Sequence, residues 1–246
     1  MVEVPFTYFP RGAGRSHAKL LSFGWKIFQS SLELWKLRNS RDSADYDARA
    51  FLSPIPLQRY WRRRRHRYAV LWARGADRVL HIGCGSGPIV QSLNNAIGLD
   101  YNYAKLRFIR RFAIPLVNAT AFALPFKDAS FDCVISSQVI EHIKYDESIF
   151  SEMYRVLQPN GALILGTPDY STAGWRAIEP IYSALTPGGY QGENITHYTL
   201  AQLRDILSRY GMAIEETAYI AGSELILRCR KRGAEDSVAA VASTAA

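Results

Sequence analysis

The 246-residue chain has only three cysteines, Cys84, Cys133 and Cys229, and no C-x-x-C pair. An odd, scattered count excludes a disulfide framework and points to a reducing, cytoplasmic compartment. No apolar run approaches the roughly 18 residues that a membrane span needs, so a soluble or peripheral protein is expected. Met1 to Arg15 lacks the apolar core and cleavage site of a secretion signal. Zinc-finger spacing, RNA-recognition strand patterns and basic grooves interleaved with aromatics are all missing, and no metal site is expected. Acidic residues are scarce at one end. Formal net charge is +8, yet residues 1–67 carry 14 Lys/Arg against 5 Asp/Glu, and the remainder sums to −1. The basic character therefore belongs to an N-terminal extension, which disfavours a general nucleic-acid-binding enzyme.

With 48% apolar residues the chain can bury a full core, and its length fits one α/β domain with an elaborated end. The informative stretch is residues 78–102. A short apolar run (Val79, Leu80, Ile82) meets glycines at alternate positions, Gly83, Gly85 and Gly87, and a second run, Ile97 to Leu99, stops at Asp100. Alternate glycines let the backbone turn sharply and approach a ligand. A helix starting at the turn would aim free N–H groups at that ligand. An acid closing the second strand suits the two hydroxyls of a ribose. The G-x-G-x-G spacing differs from the dinucleotide G-x-G-x-x-G pattern.

Strand, glycine turn, helix, strand and acid in this order resemble motif I of class I S-adenosylmethionine-dependent methyltransferases. The likeness is to the ubiquinone-biosynthesis-type, or methyltransferase type 11, group. Further blocks extend it: Leu124-Pro125-Phe126, Ser130-Phe131-Asp132-Cys133-Val134, Glu141-His142, and Arg155 to Leu165 with Asn160 in place of a glycine. The resemblance implies a Rossmann-like sheet, mostly parallel, with an antiparallel edge hairpin at 213–218 and 224–229 and helices on both faces. It implies S-adenosylmethionine as cofactor, held by His81, Gly83, Cys84, Gly85, Gly87, Asp100, Tyr101, Asn118, Ala119, Ser137 and Gln138. Two positions depart from the family pattern. His81 stands where an acid is usual, so it is either a satisfied core histidine or a neutral contact. Asn118 replaces an acid but keeps a carbonyl for the adenine amine. The short Gly85–Asp100 spacing leaves room for a helix from Pro88 to Asn94.

Upstream, Leu21, Trp25, Phe28, Leu32 and Trp35 repeat at helical spacing between Lys19 and Arg38, bordered by lysines. Such a helix docks on its own domain, on a second subunit in a homo-oligomer, or on a membrane surface. Tyr46 to Phe51 resembles the segment that folds over the cofactor in relatives. A helix is expected from Leu57 to Ala73, with Leu57, Trp61, Tyr68 and Leu71/Trp72 on one face. Its Arg62–Arg67 run reads as a solvated face or as a contact for an anionic partner. Domain limits are placed at 1–56 for the extension and lid, 57–232 for the methyltransferase domain, and 233–246 for a disordered tail.

On the acceptor side, residues 170–197 lack a strong period and read as an inserted lid. Thr199 is expected to cap a helix carrying Leu200, Leu203, Ile206 and Leu207. His197, Asp169 and Tyr198 are candidate proton acceptors, and His142 is either a base or a helix-start residue. No NPPY-type N-methylation motif or catalytic cysteine of base methylation is present. The aromatic lid and basic N-terminus favour a small hydrophobic or lipid-like acceptor. Methylation of RNA or DNA through the arginine run, and a non-catalytic partner subunit, are the alternatives.

Overall fold

A computed structural model describes residues 20–185 and 194–233. Among them, strands β1 (Val79–Ile82), β2 (Ala96–Asp100), β3 (Leu116–Asn118), β4 (Phe131–Ser137), β5 (Leu157–Pro168), β6 (Met212–Ile220) and β7 (Glu224–Lys231) form one sheet. Its spatial order is β3-β2-β1-β4-β5-β7-β6. Strands β1 to β5 are parallel, and β7 runs antiparallel to both neighbours. The expected sheet and edge hairpin are therefore the ones observed.

Alternation along the strands explains the layering. Leu80, Ile82, Val134, Leu163, Leu165, Leu225 and Leu227 enter one core with α6 (Ser148–Val156) and α8 (Leu200–Arg209). Val79, Ile135, Ile164 and Ile226 face the other way. They meet α3 (Pro56–Trp72), α4 (Pro88–Gln91) and α5 (Tyr103–Ile109) through Trp61, Ala69, Val90, Leu106 and Ile109. Thr199 caps α8 as expected, sharing a capping box with Gln202. Asn160 takes φ +63°, the left-handed turn foreseen for it. Three further helices complete the chain: α1 (Leu20–Asn39), α2 (Tyr46–Phe51) and α7 (Ala173–Leu185).

Several local expectations are corrected. The helix after the glycine turn ends at Gln91, because the Ser92 hydroxyl donates back to the Pro88 carbonyl and Asn95 turns the chain at φ +56°. Residues 103–112 split into α5 and a 3-10 turn closed by Ala113 at φ +55°. The acceptor-side insertion contains α7, whose buried Trp175 anchors it. On α3, Leu57 and Leu71 are exposed, whereas Arg62, Arg64, Arg65 and His66 are partly buried. Within the run only Arg63 and Arg67 are exposed as a solvated face expects. Helix α1 is not docked on its own domain: every residue from Leu21 to Arg38 is exposed. His142 sits in a 3-10 turn, Ile140–His142, and starts no helix. Calls on residues 1–18, on Pro187 to Tyr190 and on the tail beyond Gly233 lie outside the described residues. The three cysteines are free and buried. No helix among the described residues is long and apolar enough to cross a membrane.

Candidate active site

Strand β1 pairs with β2 on one side and β4 on the other, so the crevice at its carboxyl end is the natural ligand site of this sheet. The chain turns there through Gly83 at φ +65° and Gly85 at φ +56°. A Cβ would overlap the Val139 side chain at Gly83 and the Asp47 carboxylate at Gly85. Only glycine meets both the torsion and the space.

Asp100 closes β2 at 5% exposure. One carboxylate oxygen accepts from Gly85 N at 2.7 Å and the other from Asn102 N at 2.8 Å. Burial pushes its pKa up, against the pull of those two N–H groups. The carboxylate is thus locked onto the turn it serves, with further lone pairs available.

A cavity of about 600 Å³ opens over this turn. Its wall includes His81, Gly83, Cys84, Gly85, Gly87, Asp100, Tyr101, Ala119, Ser137 and Gln138. Asn118 is not part of it. Its amide donates to the carbonyls of Asp100 and Tyr101, each at 2.9 Å, and so braces the chain where it leaves β2. Gln138 holds φ +60° at the end of β4, the kind of backbone strain that gathers at functional sites.

The cavity's cofactor-side chemistry includes one carboxylate the glycine pattern does not predict. Helix α2 lies over the turn, and Asp47 Oδ2 accepts from Ser86 N at 3.1 Å. Asp47 N donates to Ser86 Oγ at 3.1 Å. Lys105 Nζ lies 3.0 Å from the same carboxylate and Arg62 Nη1 3.2 Å from it. Burial would raise Asp47, but the charges of Lys105 and Arg62 prevail and hold it at about 2. His81 is 2% exposed, and burial lowers it to about 4 although Asp47 pulls the other way. It is therefore neutral at pH 7. Its Nδ1 has no hydrogen-bond partner among the described residues, and neither do Ser137 Oγ and Gln138 Nε2.

Opposite charges also fasten α3 to the sheet. Arg65 makes a two-pronged pair with Glu224, both bonds 2.6 Å, at the start of β7. Nearby, Glu141 is fully buried with neither carboxyl oxygen hydrogen-bonded. Burial raises its pKa to about 8, so it carries a proton at neutral pH.

The expected proton acceptors separate. His142 lines the cavity, its Nε2 3.9 Å from Glu141 Oε1. Asp169 does not. One of its oxygens accepts from Ser171 N and Oγ, and the other from Tyr219 OH at 2.7 Å. His197 stacks on Tyr170 at 3.9 Å, and Tyr198 is buried edge-on against Phe150. Neither reaches the cavity wall. The wall also carries the apolar side chains of Phe122, Val139, Ile143, Trp175 and Ile178, beside charged and polar ones such as Arg41, Arg65, His66, Thr120 and Glu224.

S-adenosylmethionine, implied by the sequence resemblance, fits this donor set. A cationic, zwitterionic ligand meets two carboxylates, a balancing lysine and arginine, bare glycine backbone and a histidine without charge. Dipole help from α4 is small, since it has a single turn.

Residues 80–165 match the family model of a methyltransferase domain. A Mycolicibacterium smegmatis protein named "Probable S-adenosylmethionine-dependent methyltransferase" is 32% identical over 174 residues, 65% of this chain and 62% of that one. A like-named Mycobacterium tuberculosis protein is 33% identical over 129 residues, 48% of this chain and 46% of that one. The chain thus spans less than two thirds of these relatives' length. A Thermotoga maritima structure, described as a possible histamine N-methyltransferase, shares the fold with a TM-score of 0.55 at 22% identity. It covers 72% of this chain and 96% of its own.

Proposed function

We propose that the chain is a class I S-adenosylmethionine-dependent methyltransferase and that it methylates a hydrophobic, lipid-like acceptor. The observation that carries the acceptor class is the apolar wall of Phe122, Val139, Ile143, Trp175 and Ile178 beside the glycine turn. Such side chains favour an acceptor that can bury apolar surface against them.

When bound, S-adenosylmethionine supplies a methyl group already activated by its sulfonium. The protein's share is then chiefly alignment and exclusion of water. Asp100 would accept from the ribose hydroxyls, and Gly83 and Gly85 would allow the backbone to close on the amino-acid end. Asp47 would accept from the ammonium, a task that a neutral His81 cannot share by charge. Lys105 and Arg62, already beside Asp47, would balance the carboxylate. Neutrality of His81 also removes the repulsion that an imidazolium would bring to a cationic ligand. On the acceptor side, His142 is the one of the four candidate proton acceptors that borders the cavity, and it would take a proton from a phenol or enol.

Nucleic acid as acceptor has less support, because Arg62 and Arg65 turn inward into ion pairs with Asp47 and Glu224. A non-catalytic partner subunit would have no use for the charge set beneath α2. The test is incubation with methyl-tritiated S-adenosylmethionine and a total lipid extract, beside quinone-like phenols and bulk RNA. Label in the organic phase is expected, reduced at least about tenfold by His142→Ala. Label in RNA alone would overturn the acceptor class.

A further inference from the structure

The largest feature that the cavity leaves unexplained is α1. Its exposed residues include Trp25 at 59%, Phe28 at 55% and Leu34 at 66%. At about 100° per residue, Ser22, Lys26, Gln29, Glu33 and Lys36 gather on one narrow face, and mostly apolar side chains occupy roughly the remaining two-thirds of the circumference, interrupted by Ser30, Ser31 and, in the last turn, Arg38. Lys26 and Lys36 fall at the two borders of that polar face. Monomers in water do not leave so wide an apolar surface open without a partner.

We propose that α1 lies on an anionic bilayer surface. A second helix would need a seam of about two positions in seven, far narrower than this arc. A bilayer interface covers the whole arc, and the bordering lysines can reach up to headgroups while their stems stay in the apolar layer. Trp25 and Trp35 are the residue type that sits at such interfaces. The charge sign agrees, since residues 1–67 hold most of the chain's excess cations. Four charged residues, Lys26, Glu33, Lys36 and Arg38, keep α1 from crossing the membrane, and it does not qualify as a span.

Docking would also aim the cavity. Arg49 of α2 donates to Asn39 Oδ1 at 3.0 Å and to the Arg38 carbonyl, so the last turn of α1 is tied to the helix that carries Asp47 and Phe51 into the cavity wall. An acceptor dissolved in the bilayer would then reach the apolar wall without crossing water.

The test is co-sedimentation of the full chain with vesicles of phosphatidylcholine alone or mixed with phosphatidylglycerol. Binding is expected on the mixed vesicles and at least about tenfold weaker on the neutral ones. The double variant Trp25→Glu, Leu32→Glu should stay in the supernatant while binding S-adenosylhomocysteine as the wild type does, which shows it folded. Lys26→Glu with Lys36→Glu should lose the preference for anionic vesicles. Wild type that remains in solution would overturn the proposal. So would α1 variants that still sediment, or a concentration-dependent dimer that these variants abolish. Because S-adenosylhomocysteine binding is measured without lipid, failure of the docking and failure of the cofactor assignment would be told apart.

Discussion

The cavity and α1 break the ordinary partition of residues in opposite directions. Beneath α2 the protein buries the charges of Lys105, Asp100 and Glu224 and partly buries those of Asp47 and Arg65. Along α1 it exposes Trp25, Phe28, Leu34 and Leu37. Buried charge is rare unless paired, and here opposite signs lie within hydrogen-bonding distance. The apolar residues of α1 have no comparable compensation within the described chain. Charge in the cavity is therefore part of the folded state's own stability, whereas the surface of α1 is a debt left for a partner. Substitutions in the two regions should separate accordingly.

Glu141 is the sharpest exception within the cavity region, because it is buried and neither carboxyl oxygen is hydrogen-bonded among the described residues. Its folded pKa of about 8 stands above its ordinary 4.5. Between those values the folded state binds the extra proton, so stability falls as pH rises from about 4.5 to 8 and is flat above. The loss is on the order of 5 kcal/mol as an upper bound, from about 1.4 kcal/mol per unit. Urea unfolding at pH 5 and pH 8 should show wild type losing stability relative to Glu141→Gln, which keeps the neutral shape. Parallel curves would mean that Glu141 is ionised and paired. Next in size is Gly85→Ala, which adds a left-handed alanine and a clash with Asp47. About 3 kcal/mol of stability and more than 100-fold in S-adenosylhomocysteine affinity should be lost, read by unfolding and calorimetry.

How much of this was legible beforehand follows from what each signal depends on. Buried parallel strands and the glycine turn were readable because both are local: apolar runs and alternate glycines dictate backbone form without outside help. The cavity-lining residues fell near those strand ends for the same reason. Asp47 was not legible as a ligand group, since its partners Ser86 and Lys105 lie 39 and 58 positions away. The Arg62–Arg67 run misled because charge says nothing about direction; only Glu224 and Asp47 pull two of its members inward. Helix α7 escaped notice because Pro180 interrupts its period. Asp169 and His197 carried catalytic residue types, but Tyr219, Ser171 and Tyr170 engage them away from the cavity.

Asp47→Asn tests whether the buried charges serve the ligand as well as the fold. With a folded pKa of about 2 against 3.8, Asp47 contributes stability that is complete above pH 4 and lost as pH falls toward 2. That contribution is about 2 kcal/mol, and the variant should lack this acid limb. Affinity for S-adenosylhomocysteine should drop about 10- to 100-fold, whereas 5′-methylthioadenosine, which has no amino-acid end, should bind as before. Equal losses for both ligands would make Asp47 a brace for the turn alone.

The smallest effect is expected on α1, and its smallness is the point. Trp25→Ser removes an aromatic side chain that is 59% exposed and that, among the described residues, stacks on Phe28 of the same helix. In a buried position such a loss costs about 3–5 kcal/mol, as Phe131→Ala at 1% exposure should show. At Trp25 thermal unfolding without lipid should move by less than about 0.5 kcal/mol. A shift near the core value would mean that α1 already packs on something in solution, and its apolar arc would then have a protein partner. No shift would leave the arc's hydrophobicity without a role in the folded monomer, so that its stabilising effect appears only when a bilayer takes water's place.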